Sequence, residues 1–187
     1  MKFFIKPEIR IIAWDDCAFK FDQKSVRIVG AIFRGGKFLD GLLSTRITKD
    51  GNDATDSIAE SINESRHYDQ LSIIMLDGIS FAGFNLVDIK ALNKKTRLPV
   101  IVIQRKMPDM RKFTTALKIF RDNRKRMVKA AGRIYCFRDI FYQKSGISVD
   151  ECESILRVTC IRSHIPEPVR VAHLIASGMS GESRGHA

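Results

Sequence analysis

Acidic side chains follow three apolar segments of this chain. Asp15 and Asp16 close the run IRIIAWDD, Asp50 and Asp53 follow GLLSTRIT, and Asp77 closes LSIIMLD. Mg²⁺ takes hard oxygen ligands, commonly a few carboxylates with water and phosphate, so carboxylates at neighbouring strand ends can hold it. Two such ions about 3.5–4 Å apart are suited to phosphodiester cleavage. The acids therefore predict a metal centre for that chemistry, provided that the fold brings them together.

The order of the apolar runs predicts a fold that does so. Gly35-Gly36 permits a tight hairpin, and the first and third strands then run in the same direction. A right-handed crossover makes the fourth strand parallel to the first, so all three acid-bearing strands end at one edge. The expected strands are 9–16, 26–34, 37–48, 71–76 and 99–103, with helices near 54–65 and 85–96. This order is typical of an α/β, ribonuclease H-like fold with a mixed five-stranded sheet (antiparallel hairpin plus parallel strands) flanked by helices.

The acids are not equivalent in this interpretation. Successive side chains of a strand face opposite sides, which favours Asp15 as a direct ligand and places Asp16 in support. Asp53 is also a good N-cap for the helix that follows it. Asp-Gly pairs at Asp50 and Asp77 are also typical of simple turns. We take Asp15, Asp50 and Asp77 as catalytic and all five acids as candidate ligands of Mg²⁺, with Mn²⁺ as a substitute.

The net charge of +11 is concentrated in one segment. Residues 94–133 contain fourteen Lys and Arg and two acids, a balance of +12, whereas the remainder of the chain stands at −1. A field this uneven attracts a polyanion, and nucleic acid is the expected partner. A solvated helix face is the alternative explanation of such a run. The candidate contacts with the nucleic-acid backbone are Asn85, Arg105, Lys106, Arg111, Lys112, Arg124, Lys125 and Arg126.

The remainder of the chain predicts further helices. The basic segment 109–131 is helical in period, residues 134–142 suit either a last strand or an irregular connection, and Ser148 with Glu151 forms a capping box for a helix at 149–160. A last helix is expected at 167–177. We expect one domain at 1–176 and a flexible tail at 177–187. The four cysteines lack the spacing of a metal or disulfide framework.

Two further classes of protein are disfavoured by the sequence. No run approaches the roughly 18 apolar residues that a membrane span needs. The N-terminal MKFFIKPEIR has too few apolar residues between its lysines for the core of a signal peptide. We therefore expect a cytoplasmic protein with no membrane partner.

Four segments of the chain resemble a known family. WDD at 14–16, KDGNDAT at 49–55, IMLDGISFAGFNLVDI at 74–89 and IPEPVRVAHLI at 165–175 are similar to the archaeal endonuclease dU family, relatives of endonuclease V. The resemblance implies a Mg²⁺-dependent endonuclease of DNA repair that cuts beside deoxyuridine. Endonuclease V has a glutamate as its middle ligand where this chain offers only Asp50 or Asp53, and Cys17 stands where the family usually has glycine.

The resemblance also implies further site residues. Endonuclease V has a histidine at the start of its last helix, and His164 and Glu167 lie in a comparable place as a possible fourth catalytic position. An extruded base is commonly held against aromatic rings, so Phe81 and Phe84 are the candidate base-binding residues, although ordinary core packing is the alternative for both. A non-catalytic nucleic-acid-binding protein on the same fold stays the alternative function.

Overall fold

The computed structural model describes residues 7–181, in which helices cover both faces of a mixed β-sheet. The strands of the described chain are β1 (Arg10–Asp16), β2 (Ser25–Arg34), β3 (Phe38–Thr48), β4 (Ile73–Asp77), β5 (Ser80–Phe81), β6 (Asn85–Leu86), β7 (Val100–Gln104), β8 (Tyr135–Phe137) and β9 (Ile140–Ser145). The helices are α1 (Ala54–Asn63), α2 (Ile89–Thr96), α3 (Met110–Ala116), α4 (Arg124–Ala130), α5 (Val149–Thr159) and α6 (Glu167–Gly178).

The main sheet has the strand order β3-β2-β1-β4-β7-β9-β8. β1 and β2 are antiparallel, as are β2 and β3, whereas β1, β4 and β7 run parallel. This arrangement confirms the expected mixed α/β fold. The sheet has two strands more than the five expected, because the segment left open at 134–142 forms β8 and the start of β9, which pair antiparallel next to β7.

The central strands are buried on both faces, and their side chains alternate between two cores. On β1, Ile12 and Trp14 pack in the core that includes α1 and α2, whereas Ile11 and Ala13 pack in the core that includes α5 and α6. The same alternation holds on β4 and β7. Even-numbered residues of these three strands face one helical layer and odd-numbered residues face the other. This parity of the residue number therefore decides which layer the last side chain of each strand faces.

The predicted helices differ from the structure at three places. α2 begins at Ile89, where the carboxylate of Asp88 accepts hydrogen bonds from two backbone N–H groups, and Asn85 lies instead in the short strand β6. The basic segment is two short helices, because Asp122 accepts from the backbone N–H of Arg124 and forms a turn between them. α6 continues through Gly178, so it includes the first two residues of the expected tail, and residues 182–187 lie outside the described chain.

Other sequence expectations concern the cysteines and the membrane. Cys17, Cys152 and Cys160 are buried, Cys136 is exposed, and all four are free. Within residues 7–181, none of the helices combines the length and the apolar character that a bilayer crossing requires.

We predict that Gly30→Ala destabilises the fold by about 1–3 kcal/mol, the usual cost of overpacking a core. Gly30 faces Trp14 across β1 and β2, and an added Cβ would lie 2.8 Å from Cε2 of the buried indole. Chemical denaturation measures the change in the free energy of unfolding. The control is Gly178→Ala, where a Cβ meets nothing within 4 Å in a helix. Equal stabilities of the two variants would contradict this packing.

Candidate active site

Asp15, Asp77 and His173 lie together at the edge where β1 and β4 end. Each offers one ligand atom, and these atoms all lie within 4.8 Å of one another. His173 Nδ1 is 2.7 Å from Asp15 Oδ2 and 3.7 Å from Asp77 Oδ2. Among residues 7–181 this is the group of acidic, histidine and cysteine side chains with the spacing of a metal site.

The alternation along the strands explains why these three side chains meet. Asp15 follows Ile11 and Ala13 at two-residue intervals, so its carboxylate faces the layer of α5 and α6. Asp77 has the same parity on β4, which runs parallel to β1. On α6, His173 follows the buried Val169 by four residues and therefore lies on the helix face that packs against the sheet.

Burial makes the pair of carboxylates costly. Asp15 is only 5% exposed, and burial raises its pKa to about 6, against the opposing effect of the hydrogen bond to His173. The negative charges of Asp77 and Asp16 raise it further. The hydrogen bond to Asp15 in turn raises the pKa of His173. A cation at this position would favour the charged form of the carboxylates.

Arg105 contacts the carboxylate pair of Asp15 and Asp77 from another direction, through Asp77. Its Nη2 is 3.1 Å from Asp77 Oδ2, and its side chain is about one-third exposed. Arg105 follows β7 directly and has the parity of Ile101 and Ile103, so it extends toward the same face as Asp77. Asp77 therefore lies between a histidine and an arginine.

Asp16 has a different neighbourhood. Because it follows Asp15 directly on β1, Asp16 faces the opposite side of the sheet. There its Oδ2 accepts a 2.7 Å hydrogen bond from the backbone N–H of Ala82. Ala82 has a positive φ of 45°, a conformation that costs an alanine energy unless neighbouring groups fix it. Asp16 thus holds the loop that follows β4 rather than joining the group of Asp15 and Asp77.

Asp50 and Asp53 also hold that loop. Asp50 Oδ1 accepts from the backbone N–H of Phe84 at 2.8 Å, and the backbone N–H of Asp50 donates to Ala82 O. Asp53 accepts from the backbone N–H and the hydroxyl of Thr48. Partial burial alone would raise the pKa of Asp53, but hydrogen bonds from Thr48 and Asn85 outweigh it and lower the pKa.

A model of the family described as endonuclease dU matches residues 7–180. The chain belongs to the endonuclease dU family. Relatives include a UPF0215 protein of Methanosarcina barkeri, 50% identical over 99% of this chain and 98% of the relative, and one of Methanothermobacter thermautotrophicus, 49% identical over 98% and 94%. The archaeal resemblance that the sequence motifs indicated is thereby confirmed.

Solved structures agree with this membership and show which fold the chain shares with a second family. A protein of unknown function from Archaeoglobus fulgidus matches at a TM-score of 0.85 and 36% identity over 91% of this chain and 98% of its own. Endonuclease V of Ciona intestinalis, in complex with a DNA that contains an inosine followed by a ribo-adenosine, matches at 0.59 and 13% identity over 90% and 84%. The endonuclease dU chain therefore has the endonuclease V fold.

The residues predicted to contact nucleic acid in this endonuclease dU chain differ in their exposure. Arg124 is 3% exposed, and its guanidinium donates to the carbonyl oxygens of Asp50, Gly51 and Phe84, so it fixes the loops and is buried away from solvent. Asn85 is also buried and donates to Thr48 O. The exposed cations of the predicted set are Lys106, Arg111, Lys112, Lys125 and Arg126.

The remaining predicted residues lie outside the carboxylate group. His164 is exposed and 3.0 Å from Asp139, whereas the buried Glu167 forms a two-bonded pair with Arg170. Phe81 is completely buried in the core, so a base cannot stack on it without opening the loop. Phe84 packs against Phe113 and Phe120.

His173 is the residue that sequence reasoning missed. The comparison with endonuclease V directed attention to the start of the last helix, whereas His173 lies six residues beyond Glu167, within the motif IPEPVRVAHLI. A signal was present, because the four-residue interval from Val169 puts His173 on the apolar stripe of the predicted helix.

The donor set is chemically suited to a divalent ion. Carboxylates suit Mg²⁺ and Mn²⁺, and imidazole suits the transition metals. The carboxylates of Asp15 and Asp77 would hold the ion, and His173 would either complete the ligand set or fix Asp15 through its hydrogen bond. The observation that supports the fit is the burial of Asp15 beside a second carboxylate.

We predict that Mn²⁺ or Mg²⁺ raises the melting temperature and that Asp77→Asn abolishes the rise. Ligand at a hundred times its Kd stabilises a protein by about 2.7 kcal/mol, which calorimetry detects readily. Asp50→Asn is the matched control, since an asparagine oxygen can still accept from the Phe84 N–H. Loss of the metal effect in Asp50→Asn would show that Asp50 is a ligand after all.

Proposed function

We propose that this protein is a metal-dependent endonuclease that cleaves DNA beside a deaminated base, deoxyuridine in the first place, in DNA repair. Mg²⁺ is the proposed ion and Mn²⁺ its substitute. The observation that carries the proposal is the meeting of Asp15, Asp77 and His173 at the sheet edge. Membership of the endonuclease dU family supports the choice of base.

The charge distribution supports a nucleic-acid substrate. Lys106, Arg111 and Lys112 are exposed shortly after β7, whose last residue precedes Arg105 at the carboxylate group. Cations in this position would bind phosphates on either side of the cleaved bond, while the carboxylates act on one phosphate only. The endonuclease V structures of similar fold contain DNA, which agrees with such a partner.

The residues of the site have separable roles in this proposal. A divalent ion, when bound, would activate a water and neutralise the charge on the phosphate. Asp15 and Asp77 would hold the ion, and Asp15 also fixes the ring of His173 through Nδ1. His173 can hold or release a proton beside the reacting phosphate, because Asp15 favours its protonated form. Arg105 balances the charge of Asp77 and is exposed enough to meet a phosphate oxygen.

Asp50 and Asp53, the acidic residues that follow β3, have a structural role in this proposal. Asp50 and Asp53 hold the loop after β4, together with Asp16 and Arg124. That loop follows Asp77 immediately, so its anchoring keeps the carboxylate at the end of β4 in position. The contribution of Asp50 is then to rigidity, and an amide that accepts the same hydrogen bond can replace its carboxylate.

We predict that the protein cuts an oligonucleotide duplex with a single uracil in the presence of Mg²⁺. Asp77→Ala should lower the cleavage rate at least a hundredfold, since even residues that only orient metal ligands commonly contribute 10–100-fold. Denaturing electrophoresis of an end-labelled strand measures the rate and locates the cut. His173→Ala should be slowed as well, and Asp22→Asn, which changes an exposed loop acid, serves as the control.

The alternative is a nucleic-acid-binding protein that does not cleave. It predicts tight, salt-sensitive binding of the duplex with no cuts by the wild type or by Asp77→Ala over a range of Mg²⁺ and Mn²⁺ concentrations. That result would contradict the proposed endonuclease and leave only the role of the exposed cations.

A further inference from the structure

A small apolar cavity lies beside the end of β4, on the sheet face opposite the Asp15 carboxylate. Its volume is about 180 Å³, and the residues that line it include Gly78, Gln104, Phe113, Val128 and Gln143. Gly78 follows Asp77 directly, so the cavity and the carboxylate group are neighbours across one strand end. A space this small suits a single planar ring system, since pockets for drug-sized ligands are commonly 300–1,000 Å³.

The amides of the two lining glutamines have a fixed direction. Gln143 is 3% exposed, and its Nε2 donates to the backbone oxygen of Gly132 at 3.0 Å. A carbonyl oxygen can only accept, so this bond orients the amide of Gln143 with its oxygen toward Gln104. Nε2 of Gln104 faces that oxygen at 3.4 Å. The NH₂ group of Gln104 is therefore turned to Gln143, and its oxygen is directed elsewhere.

The oxygen of Gln104 is left without a partner. Oε1 is buried and accepts no hydrogen bond from any residue of the described chain. Most buried polar atoms have a partner, so an unpaired acceptor on a residue that lines a cavity beside a candidate active site calls for an explanation. A ligand that brings an N–H donor into the cavity would supply it.

Deamination changes the hydrogen-bonding pattern of a base, and a hydrogen-bond acceptor of fixed direction can distinguish the two forms. In cytosine and adenine, the ring nitrogen of the Watson–Crick edge has a lone pair, whereas in uracil and hypoxanthine the same nitrogen carries a hydrogen. An acceptor of fixed direction attracts the N–H and repels the lone pair. A freely rotating glutamine would accept both edges, since its amide could turn over to suit either.

We propose that this cavity holds the extruded base and that Gln104, fixed by Gln143, distinguishes a deaminated base from its parent through the ring N–H. Guanine and thymine carry the same N–H, so this contact separates uracil from cytosine and hypoxanthine from adenine. The inference rests on the proposed endonuclease function and names the part of the chain that recognises the substrate. Phe113 and Val128 supply apolar contacts to the ring, and Gln104 supplies the hydrogen bond. Recognition lies on one side of the end of β4 and the carboxylates on the other.

The test measures binding without cleavage. Fluorescent single strands of adenine and cytosine carry either one uracil or a cytosine at the same position, and Kd is measured in EDTA by anisotropy. Wild type should bind the uracil strand about tenfold or more tightly, because a site that hydrogen-bonds a polar group rejects the analogue without it. Gln104→Leu should bind both strands equally. Gln70→Leu, at an exposed position, is the matched control.

Two further variants separate recognition from folding. Val128→Phe fills the cavity and leaves both amides in place, so it too should lose the preference for uracil. Gln143→Leu frees the amide of Gln104 to turn over and should reduce the preference in the same direction. Thermal melting identifies a variant that fails to fold, and the conclusion then rests on the other two. An unchanged uracil preference in folded Gln104→Leu and Val128→Phe would overturn the proposal.

Cleavage assays distinguish failure of this inference from failure of the proposed function. A strand with an abasic site has no base to read, so Gln104→Leu should cut it at the wild-type rate. If wild type prefers uracil in binding but cuts nothing, the cavity assignment stands and the endonuclease proposal falls. If wild type cuts but binds uracil and cytosine equally, the endonuclease proposal stands and the cavity assignment is wrong.

Discussion

The carboxylates of Asp15 and Asp77 are held close together where burial disfavours their charge. Asp15 is only 5% exposed and its pKa is raised to about 6, so the sheet keeps in place a pair that would separate in a free chain. A histidine, His173, and an arginine, Arg105, approach the pair from helix α6 and from the end of β7. The parallel pairing of β1 with β4 fixes this geometry, and the proposed chemistry depends on it.

The acidic residues at this edge of the sheet have two different roles. Asp15 and Asp77 face α6 and are available to a cation, whereas Asp16 and Asp50 hydrogen-bond to the backbone of the loop after β4. The buried Arg124 joins the same loop to the segment after β3. A rigid loop at this place keeps the end of β4 fixed between the carboxylates on one face and the small cavity on the other.

Much of this arrangement could be predicted from the sequence because it follows from local periodicity. The strands and the opposite facing of Asp15 and Asp16 depend only on apolar runs and on two-residue alternation, and the structure has the strands and the alternation. The position of His173 depends on how the last helix packs across β1, which no local pattern contains. The hydrogen bond of Asp50 to Phe84 and the burial of Arg124 likewise join residues far apart in the chain.

A crystal soaked in Mn²⁺ and measured at a wavelength where manganese scatters anomalously tests the central claim most directly. The account predicts an anomalous peak at about 2.0–2.2 Å from carboxylate oxygens of both Asp15 and Asp77, the range of a hard-cation bond. His173 should then be a ligand or a hydrogen-bond partner of Asp15. A fully soaked crystal without a peak between these two carboxylates, or with its peak beside Asp50 and Asp53 instead, would contradict it.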